Sequence, residues 1–195
     1  MKRTEIKGIN KMTNLYKDAL NELGSVFEKL DDNSVDEAIE MIVSANKIVV
    51  FGGGRERLQI MGFAMRLFHM GLNISVEGDM TTPAIRNGDL FIVTVGPGEI
   101  STACALIDVA KAAKAKILVL TAQPEGQAPK NADFVLLIPA QTMANDQGKD
   151  AKSILPMGSL YEGALFVLFE IMVLKLKEKL NISSEMMRNN HTNLE

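Results

Sequence analysis

Short apolar segments that end in glycine or polar residues, each followed by a helical segment, recur along this 195-residue chain. The clearest is Lys47-Ile48-Val49-Val50-Phe51, a run rich in β-branched residues that stops at Gly52-Gly53-Gly54. A strand of a parallel sheet has this pattern, because helices cover both faces of the sheet and both sets of side chains are buried. The repeat therefore predicts an α/β fold with a parallel sheet.

Four further segments continue the repeat and are predicted as strands, namely Asn73 to Glu77, Leu90 to Val95, Lys116 to Thr121 and Phe134 to Ile138. Helices are predicted at about 4–30, from about Val35, and at 58–70, 101–114 and 157–180. Parallel strands need crossover helices, so we expect a three-layer sandwich with a five-stranded parallel sheet. Ligands of such sheets bind at the carboxyl ends of the strands.

Composition excludes several classes of protein. A single cysteine, Cys104, rules out a disulfide framework and a cysteine zinc cluster. The chain has no Trp, 5% aromatic residues and a net charge of −3, which argues against a nucleic-acid partner. No segment has the length and apolar character of a membrane span. We expect a cytoplasmic protein with one domain over residues 1–195, N-terminal helices at about 4–45 and a tail at about 183–195.

The first glycine-rich loop, Gly52-Gly53-Gly54-Arg55-Glu56-Arg57, lies between a predicted strand and a predicted helix. Backbone N–H groups at such a turn can hold an anion. As a dinucleotide fingerprint the loop is weak, because Arg57 stands at its third glycine position. The alternative is a tight turn with solvated charges, and the residues alone do not separate the two.

The second glycine-rich loop runs from Thr94 to Thr102 and contains Gly96, Pro97 and Gly98. Its candidate ligand contacts are Gly96, Glu99, Ser101 and Thr102. A hydroxyl at the start of a helix more often caps that helix, so capping is the alternative for Ser101 and Thr102. Two such loops after two strands indicate a ligand cleft more strongly than either loop does by itself.

Glu162 and His191 are the remaining candidates. Ser159 and Glu162 have the spacing of a capping box, so spacing by itself favours a capping role for Glu162. His69 lies in an apolar segment and is interpreted as a core or interface histidine. His191 lies in the polar tail, where it is either solvent-exposed without a role or docked into a site elsewhere.

Several motifs together resemble those of the 6-phospho-3-hexuloisomerases, which belong to the sugar isomerase (SIS) domain superfamily. They are Phe63 to Gly71, Thr82-Pro83, Gly88-Asp89-Leu90, Pro156 to Glu162 and the ending His191 to Glu195. The resemblance extends from about Ile42 to Glu195. It implies a flavodoxin-like sandwich, a homotetramer with sites between subunits, and no metal or nucleotide cofactor. It also implies aldose-ketose or keto-keto isomerisation of a sugar phosphate through an enediol.

By position, the resemblance implies that Glu162 is the base and that His191 reaches the site of a neighbouring subunit. Arg55 matches the arginine of the family's first loop. The implied catalytic residues are thus Glu162 and His191. The expected substrate-binding residues are Gly53, Gly54, Arg55, Arg57, Gly96, Glu99, Ser101 and Thr102.

The chain departs from the family at its anion-binding loops. Glu56 and Arg57 stand where family members carry serine and glycine, and Val95, Pro97 and Ile100 replace hydroxyl residues of the second loop. A phosphate dianion needs many donors. Our leading hypothesis is therefore an isomerase of a sulfonated hexose, of the sulfoquinovose to sulfofructose type, with Arg57 as a principal contact.

Three other functions stay open at this point. One is 6-phospho-3-hexuloisomerase activity with unusual loop chemistry. The second is a non-catalytic sugar-phosphate sensor, against which the presence of Glu162 and His191 weighs. The third and least favoured is a dinucleotide-binding dehydrogenase, because Arg57 and Pro97 both interrupt its loop pattern.

Overall fold

The computed structural model describes residues 14–194, so the first part of the predicted N-terminal helix lies outside the described residues. The helices are α1 (Leu15–Phe27), α2 (Asp32–Ser44), α3 (Gly54–His69), α4 (Ser101–Ala112), α5 (Ser159–Lys179) and α6 (Ser184–Asn189). The strands are β1 (Ile48–Gly52), β2 (Ile74–Val76), β3 (Leu90–Thr94), β4 (Lys116–Thr121) and β5 (Phe134–Leu137). Short 3₁₀ turns occur at Pro129–Asn131 and Gly148–Asp150.

The five strands form one parallel sheet in the order β2-β1-β3-β4-β5, which confirms the predicted α/β fold. The sheet order reverses at β1, because β2 lies on one side of it and β3 on the other. At such a switch point the loops after the two neighbouring strands turn in opposite directions. The space between these loops forms a crevice. Gly52 of β1 pairs with Thr94 of β3, so the two glycine-rich loops leave the same edge of the sheet side by side.

Alternate strand residues supply two hydrophobic cores, one on each face of the sheet. Val50 and Ile92 belong to the core that packs under α1, α2, α3 and α5. Val49 and Val93 belong to the other core, which α4 covers together with Ala128. All five residues of β1 and of β3 are buried, as expected for strands in the middle layer of a sandwich.

The structure differs from the prediction at two helices: α3 begins earlier than predicted, and α6 was not predicted. α3 begins at Gly54, four residues before the predicted start, because Gly54 adopts a φ of +54° and the loop turns directly into the helix. The predicted polar tail contains α6, whose start is capped by the Ser183 hydroxyl accepting the Met186 N–H. None of the helices between residues 14 and 194 is long and apolar enough to cross a membrane.

Candidate active site

A cleft of about 470 Å³ lies where the two glycine-rich loops leave β1 and β3. The start of α3 forms one wall, and Pro97 and Ile100 of the second loop form another. The long segment between β5 and α5 closes the remaining side with Thr142 and Met143, and the start of α5 completes the lining. A loop of this length in a compact domain is usually functional or disordered, and the structure places part of this one against the cleft.

A second cavity of about 490 Å³ lies near the ends of β4 and β5. Its carboxylate, Glu22, accepts hydrogen bonds from the Ser153 hydroxyl and from the Ile154 N–H at 3.0 Å. Those bonds fasten the long segment to α1. Because this carboxylate is engaged in holding the fold together, we assign the candidate active site to the cleft between the glycine-rich loops.

Three helices begin at the cleft, and none of them has a side-chain cap. Their N-cap residues, which all line the cleft, are Gly53 for α3, Ile100 for α4 and Gly158 for α5. The other three described helices are capped by the side chains of Asn14, Asp31 and Ser183. Uncapped N-termini present backbone N–H groups and partial positive charge. The cleft is therefore suited to an anionic ligand.

Glu162 reaches the cleft from the first turn of α5. Its Oε2 lies 3.1 Å from Nη2 of Arg55, while Nη1 of Arg55 donates to the Ser159 hydroxyl at 3.1 Å. The ion pair with Arg55 is the contact that Oε2 makes, and no described residue gives this oxygen a well-aligned hydrogen bond. Burial raises the pKa of Glu162, and the Arg55 charge opposes that rise without cancelling it. The arrangement provides a carboxylate that has a free acceptor position and is easier to protonate than an exposed glutamate.

The capping box expected from spacing does not form. The N-cap of α5 is Gly158, with a φ of +78°, and no side chain caps the helix. Ser159 is the first helical residue and contacts Arg55 instead. Since capping does not use the Glu162 carboxylate, the structure removes the alternative that competed with a role in the cleft.

Glu56 is a second carboxylate in this cleft. Both of its oxygens accept the backbone N–H of Gly96, at 3.0 and 3.1 Å. A Cβ at Gly96 would lie 2.8 Å from Glu56 Oε1 and 2.8 Å from the Tyr161 ring, so only glycine allows both to approach the second loop. Burial raises the pKa of Glu56 to about 7, the Gly96 hydrogen bond opposes the rise, and the charge of Glu162 adds to it.

Tyr161 completes the buried part of the site. Its hydroxyl is buried and has no hydrogen-bond partner among residues 14–194. A buried hydroxyl without a partner costs free energy, and such atoms commonly mark a place where a ligand or water binds. Burial raises the pKa of Tyr161 well above its usual range, so its hydroxyl stays protonated and can act as a donor.

Of the residues predicted for the site, Gly53, Gly54, Arg55 and Glu162 lie together in the cleft lining. Gly96 contributes the N–H that Glu56 accepts.

Arg57 is directed away from the cleft, since its Nη2 donates to the Glu77 carbonyl oxygen at 2.6 Å. The structure does not bring Glu99, Ser101 or Thr102 into the cleft lining, and all three are exposed. Neither Ser101 nor Thr102 caps α4, because its N-cap is Ile100.

His191 lies outside the cleft of its own chain. Its ring is 5.0 Å from that of His69, and the two line a separate cavity between α3 and α5. The preceding residue, Asn190, donates to the His69 carbonyl oxygen at 2.9 Å and holds this part of the tail against α3. The ring of His191 therefore does not line the cleft between the glycine-rich loops of its own chain.

Sequence reasoning did not identify Glu56 or Tyr161 as parts of the site. The signal for Glu56 was present, since a glutamate follows the first-loop arginine, but we interpreted it only as a departure from the family. Tyr161 precedes Glu162 in a helix whose residues are apolar on most sides, so nothing local distinguishes it from a core residue.

Comparison with known proteins agrees with this architecture. Residues 41–167 match the SIS domain family. A Bacillus subtilis protein named 3-hexulose-6-phosphate isomerase is 35% identical over 185 residues, covering 95% of this chain and 100% of that protein. A Mycobacterium gastri protein of the same name is 35% identical over 175 residues, covering 90% and 87%.

A solved structure gives the same result for the fold. The structure of a hypothetical protein from Methanococcus jannaschii superposes with a TM-score of 0.81 at 24% sequence identity, covering 94% of this chain and 100% of that chain. This similarity confirms the predicted flavodoxin-like sandwich with a five-stranded parallel sheet. Because the family match spans more than half of the chain and the two named relatives align with nearly all of it, this chain belongs to the SIS domain family.

Proposed function

We propose that this sugar isomerase of the SIS family moves a carbonyl group along an anionic six-carbon sugar through an enediol, with Glu162 as the base. The observation that supports the proposal is the geometry of Glu162, a buried carboxylate 3.1 Å from Arg55 in a cleft where three uncapped helices begin. The proposed binding residues are Gly53, Gly54 and Arg55, together with the backbone at the start of α4.

The reaction requires one group that moves a proton between adjacent carbons of the sugar. Glu162 takes the proton from the carbon beside the carbonyl, and the carbonyl oxygen gains a proton as the enediol forms. The carboxyl then returns its proton to the former carbonyl carbon, while the hydroxyl on the adjacent carbon loses its proton and becomes the new carbonyl. The proton lost by this second oxygen balances the one that the first oxygen gained. A carboxyl whose pKa is raised by burial holds the proton between these steps more readily than an exposed one. The guanidinium of Arg55 favours negative charge as the enediolate develops.

His191 is proposed to assist ring opening in the site of a neighbouring subunit. This role comes from the family resemblance, together with a homo-oligomer whose sites lie between subunits. The position of His191 beside His69, away from the cleft of its own chain, is compatible with such an arrangement. Histidine suits the task because its imidazole ring can both accept and donate a proton.

The names of the relatives favour 3-hexulose 6-phosphate as the substrate. Two proteins that align with 90% or more of this chain carry the name 3-hexulose-6-phosphate isomerase. On this proposal the reaction interconverts 3-hexulose 6-phosphate and fructose 6-phosphate. The phosphate would bind at the backbone N–H groups where the helices begin, which leaves Arg55 at the reacting end of the sugar beside Glu162.

A sulfonated hexose is the second candidate, and the second loop favours it. Val95 is fully buried, Pro97 has no backbone N–H, and Ile100 turns an aliphatic side chain to the cleft. None of the three offers a hydroxyl to a phosphate. A sulfonate carries one charge and needs fewer donors, so a site with this loop suits it better.

One assay tests the proposal and separates the candidates. The purified chain is given 3-hexulose 6-phosphate, fructose 6-phosphate, sulfoquinovose and sulfofructose in turn, and product is followed by NMR in D₂O. Enediol chemistry predicts that deuterium enters at the carbon that receives the proton. Turnover of the phosphates supports the first candidate, and turnover of the sulfonates alone supports the second. Binding without turnover of any of them would contradict the isomerase proposal and favour a sugar-sensing role.

A further inference from the structure

Glu56 occupies a backbone donor of the second glycine-rich loop. Gly96 N–H lies at the turn of the second loop, where a bound anion would be expected to accept it, and both Glu56 oxygens occupy that position. The carboxylate is held there by the chain itself, from the first turn of α3. An anionic ligand must therefore bind beside this carboxylate and not on the Gly96 N–H.

The charges of the cleft lining determine how strongly the Glu56 carboxylate affects an anionic ligand. Arg55 is the one cation among the described lining residues, and it is paired with Glu162 at 3.1 Å. Glu56 has no cation of its own in the lining. With both carboxylates ionised, one positive charge faces two negative charges, so the lining has a net charge of −1 and only the helix N-termini offset it.

We propose that Glu56 is a specificity residue that makes the cleft prefer a singly charged anionic head over a doubly charged one. The inference rests on the proposed function, because it assumes that the anionic head of the sugar binds in this cleft. Each additional negative charge on the ligand is repelled by the carboxylate on Gly96, and this repulsion is strong in a partly enclosed cleft. A sulfonate or sulfate ester carries one charge, whereas a phosphate monoester carries nearly two near neutral pH.

The ionisation of Glu56 depends on the groups that surround it. Glu162 and Tyr161 face it from α5, Arg55 precedes it on α3, and the Gly96 N–H faces it from the second loop. Burial raises its pKa to about 7, so the carboxyl is mostly ionised at pH 8. The expected discrimination is therefore measured at pH 8.

Two ligands that differ only in head-group charge provide the test. Sorbitol 6-sulfate and sorbitol 6-phosphate have no carbonyl group, so the enzyme binds them without turnover. Their dissociation constants are measured by calorimetry at pH 8 for the wild type, Glu56→Gln and the control Glu125→Gln. Glu125 is an exposed glutamate in the loop after β4, and it does not line the cleft. Gln at position 56 keeps an oxygen that accepts the Gly96 N–H but has no charge.

The wild type is expected to bind the sulfate ester more tightly than the phosphate ester. Glu56→Gln should shift the ratio toward the phosphate by about tenfold or more, while Glu125→Gln leaves the ratio unchanged. Glu56→Ser, a second variant without the charge, should shift it in the same direction and guards against a folding defect of one variant. An unchanged ratio in both Glu56 variants overturns the inference, as does failure of every variant to bind either ligand.

These binding results do not depend on catalysis. A chain that binds both ligands with the expected ratios but turns over no sugar contradicts the proposed function and leaves the role of Glu56 supported. A chain that isomerises a sugar but shows no effect of Glu56 on the ratio contradicts the specificity role alone.

Discussion

The guanidinium of Arg55 lies 3.1 Å from the carboxylate of Glu162, and this ion pair joins the start of α3 to the start of α5. The two residues are far apart in sequence and meet because both helices begin at the same edge of the sheet. The pair holds the proposed base at the mouth of the cleft and opposes the effect of burial on its pKa.

Replacement of Glu162 by Gln should remove the proton-transfer step. Because the amide keeps nearly the same shape and cannot accept the proton, kcat is expected to fall by about 10²- to 10⁴-fold with little change in Tm. The matched control is Glu170→Gln, two turns later on α5, where the side chain pairs with Arg66 outside the cleft. A Glu162→Gln enzyme with wild-type kcat would contradict the assignment of the base.

Replacement of Arg55 by Ala should change the pH dependence of the reaction. The base works in its ionised form, so activity rises as pH increases through the pKa of Glu162. Loss of the Arg55 charge removes the influence that lowers this pKa, so the acidic limb of the kcat/KM profile should move to higher pH. Arg55→Lys keeps the charge and should restore much of the original position. The profile is measured between pH 5 and 9, and an acidic limb that stays in place would refute the coupling.

The Glu56 carboxyl should make the stability of the protein depend on pH. Its pKa is about 7 in the folded protein against an ordinary value of 4.5, so the folded state keeps a proton that the unfolded state releases. The free energy of unfolding therefore falls as pH rises from about 4.5 to 7, by an amount on the order of 3 kcal/mol from this residue. Glu56→Gln lacks the titration. Urea unfolding of both proteins at pH 5 and pH 8 checks this, and a difference between them that is the same at both pH values would contradict it.

Substitution of Gly96 by Ala should disturb the site through steric contact. The added methyl group would meet Glu56 Oε1 and the Tyr161 ring at 2.8 Å each, well inside normal contact distances. Because both neighbours are buried, we expect a loss of about 1–3 kcal/mol of stability and a clear loss of kcat. Gly24→Ala on α1, where an added methyl group meets nothing within 4 Å, is the control. Gly96→Ala with wild-type activity and stability would show that the packing is not tight.

Deletion of residues 184–195 tests whether His191 acts in another subunit. The deletion removes α6 and His191 and should leave a folded protein with little activity. The protein should fold because the deleted residues form no part of the sheet and contact the hydrophobic cores only at an edge. The deleted protein is then mixed with Glu162→Gln under conditions of subunit exchange. Recovered activity supports a shared site, because each partner supplies the residue that the other lacks. Lack of recovery, with subunit exchange verified by mass spectrometry, would count against action between subunits.

The sequence by itself determined the layers of the fold. All five strands lie within a residue or two of their predicted bounds, because buried parallel strands are short, apolar runs that stop at glycine or polar residues. The ends of such runs also indicated where the ligand loops lie. The α6 helix escaped prediction because it is short and polar, and its stability depends on a Ser183 cap and on docking against α3.

Tertiary structure alone decided how the cleft is charged and which side chains reach it. Ser159 and Glu162 have the local spacing of a capping box, yet the turn at Gly158 and the approach of Arg55 direct both side chains elsewhere. Glu56 and Gly96 are 40 residues apart and meet only because β1 and β3 pair in register. Local sequence encodes periodicity and turns. Contacts such as these depend instead on how whole helices and strands pack, and the distance between the two residues along the chain does not indicate that they will meet.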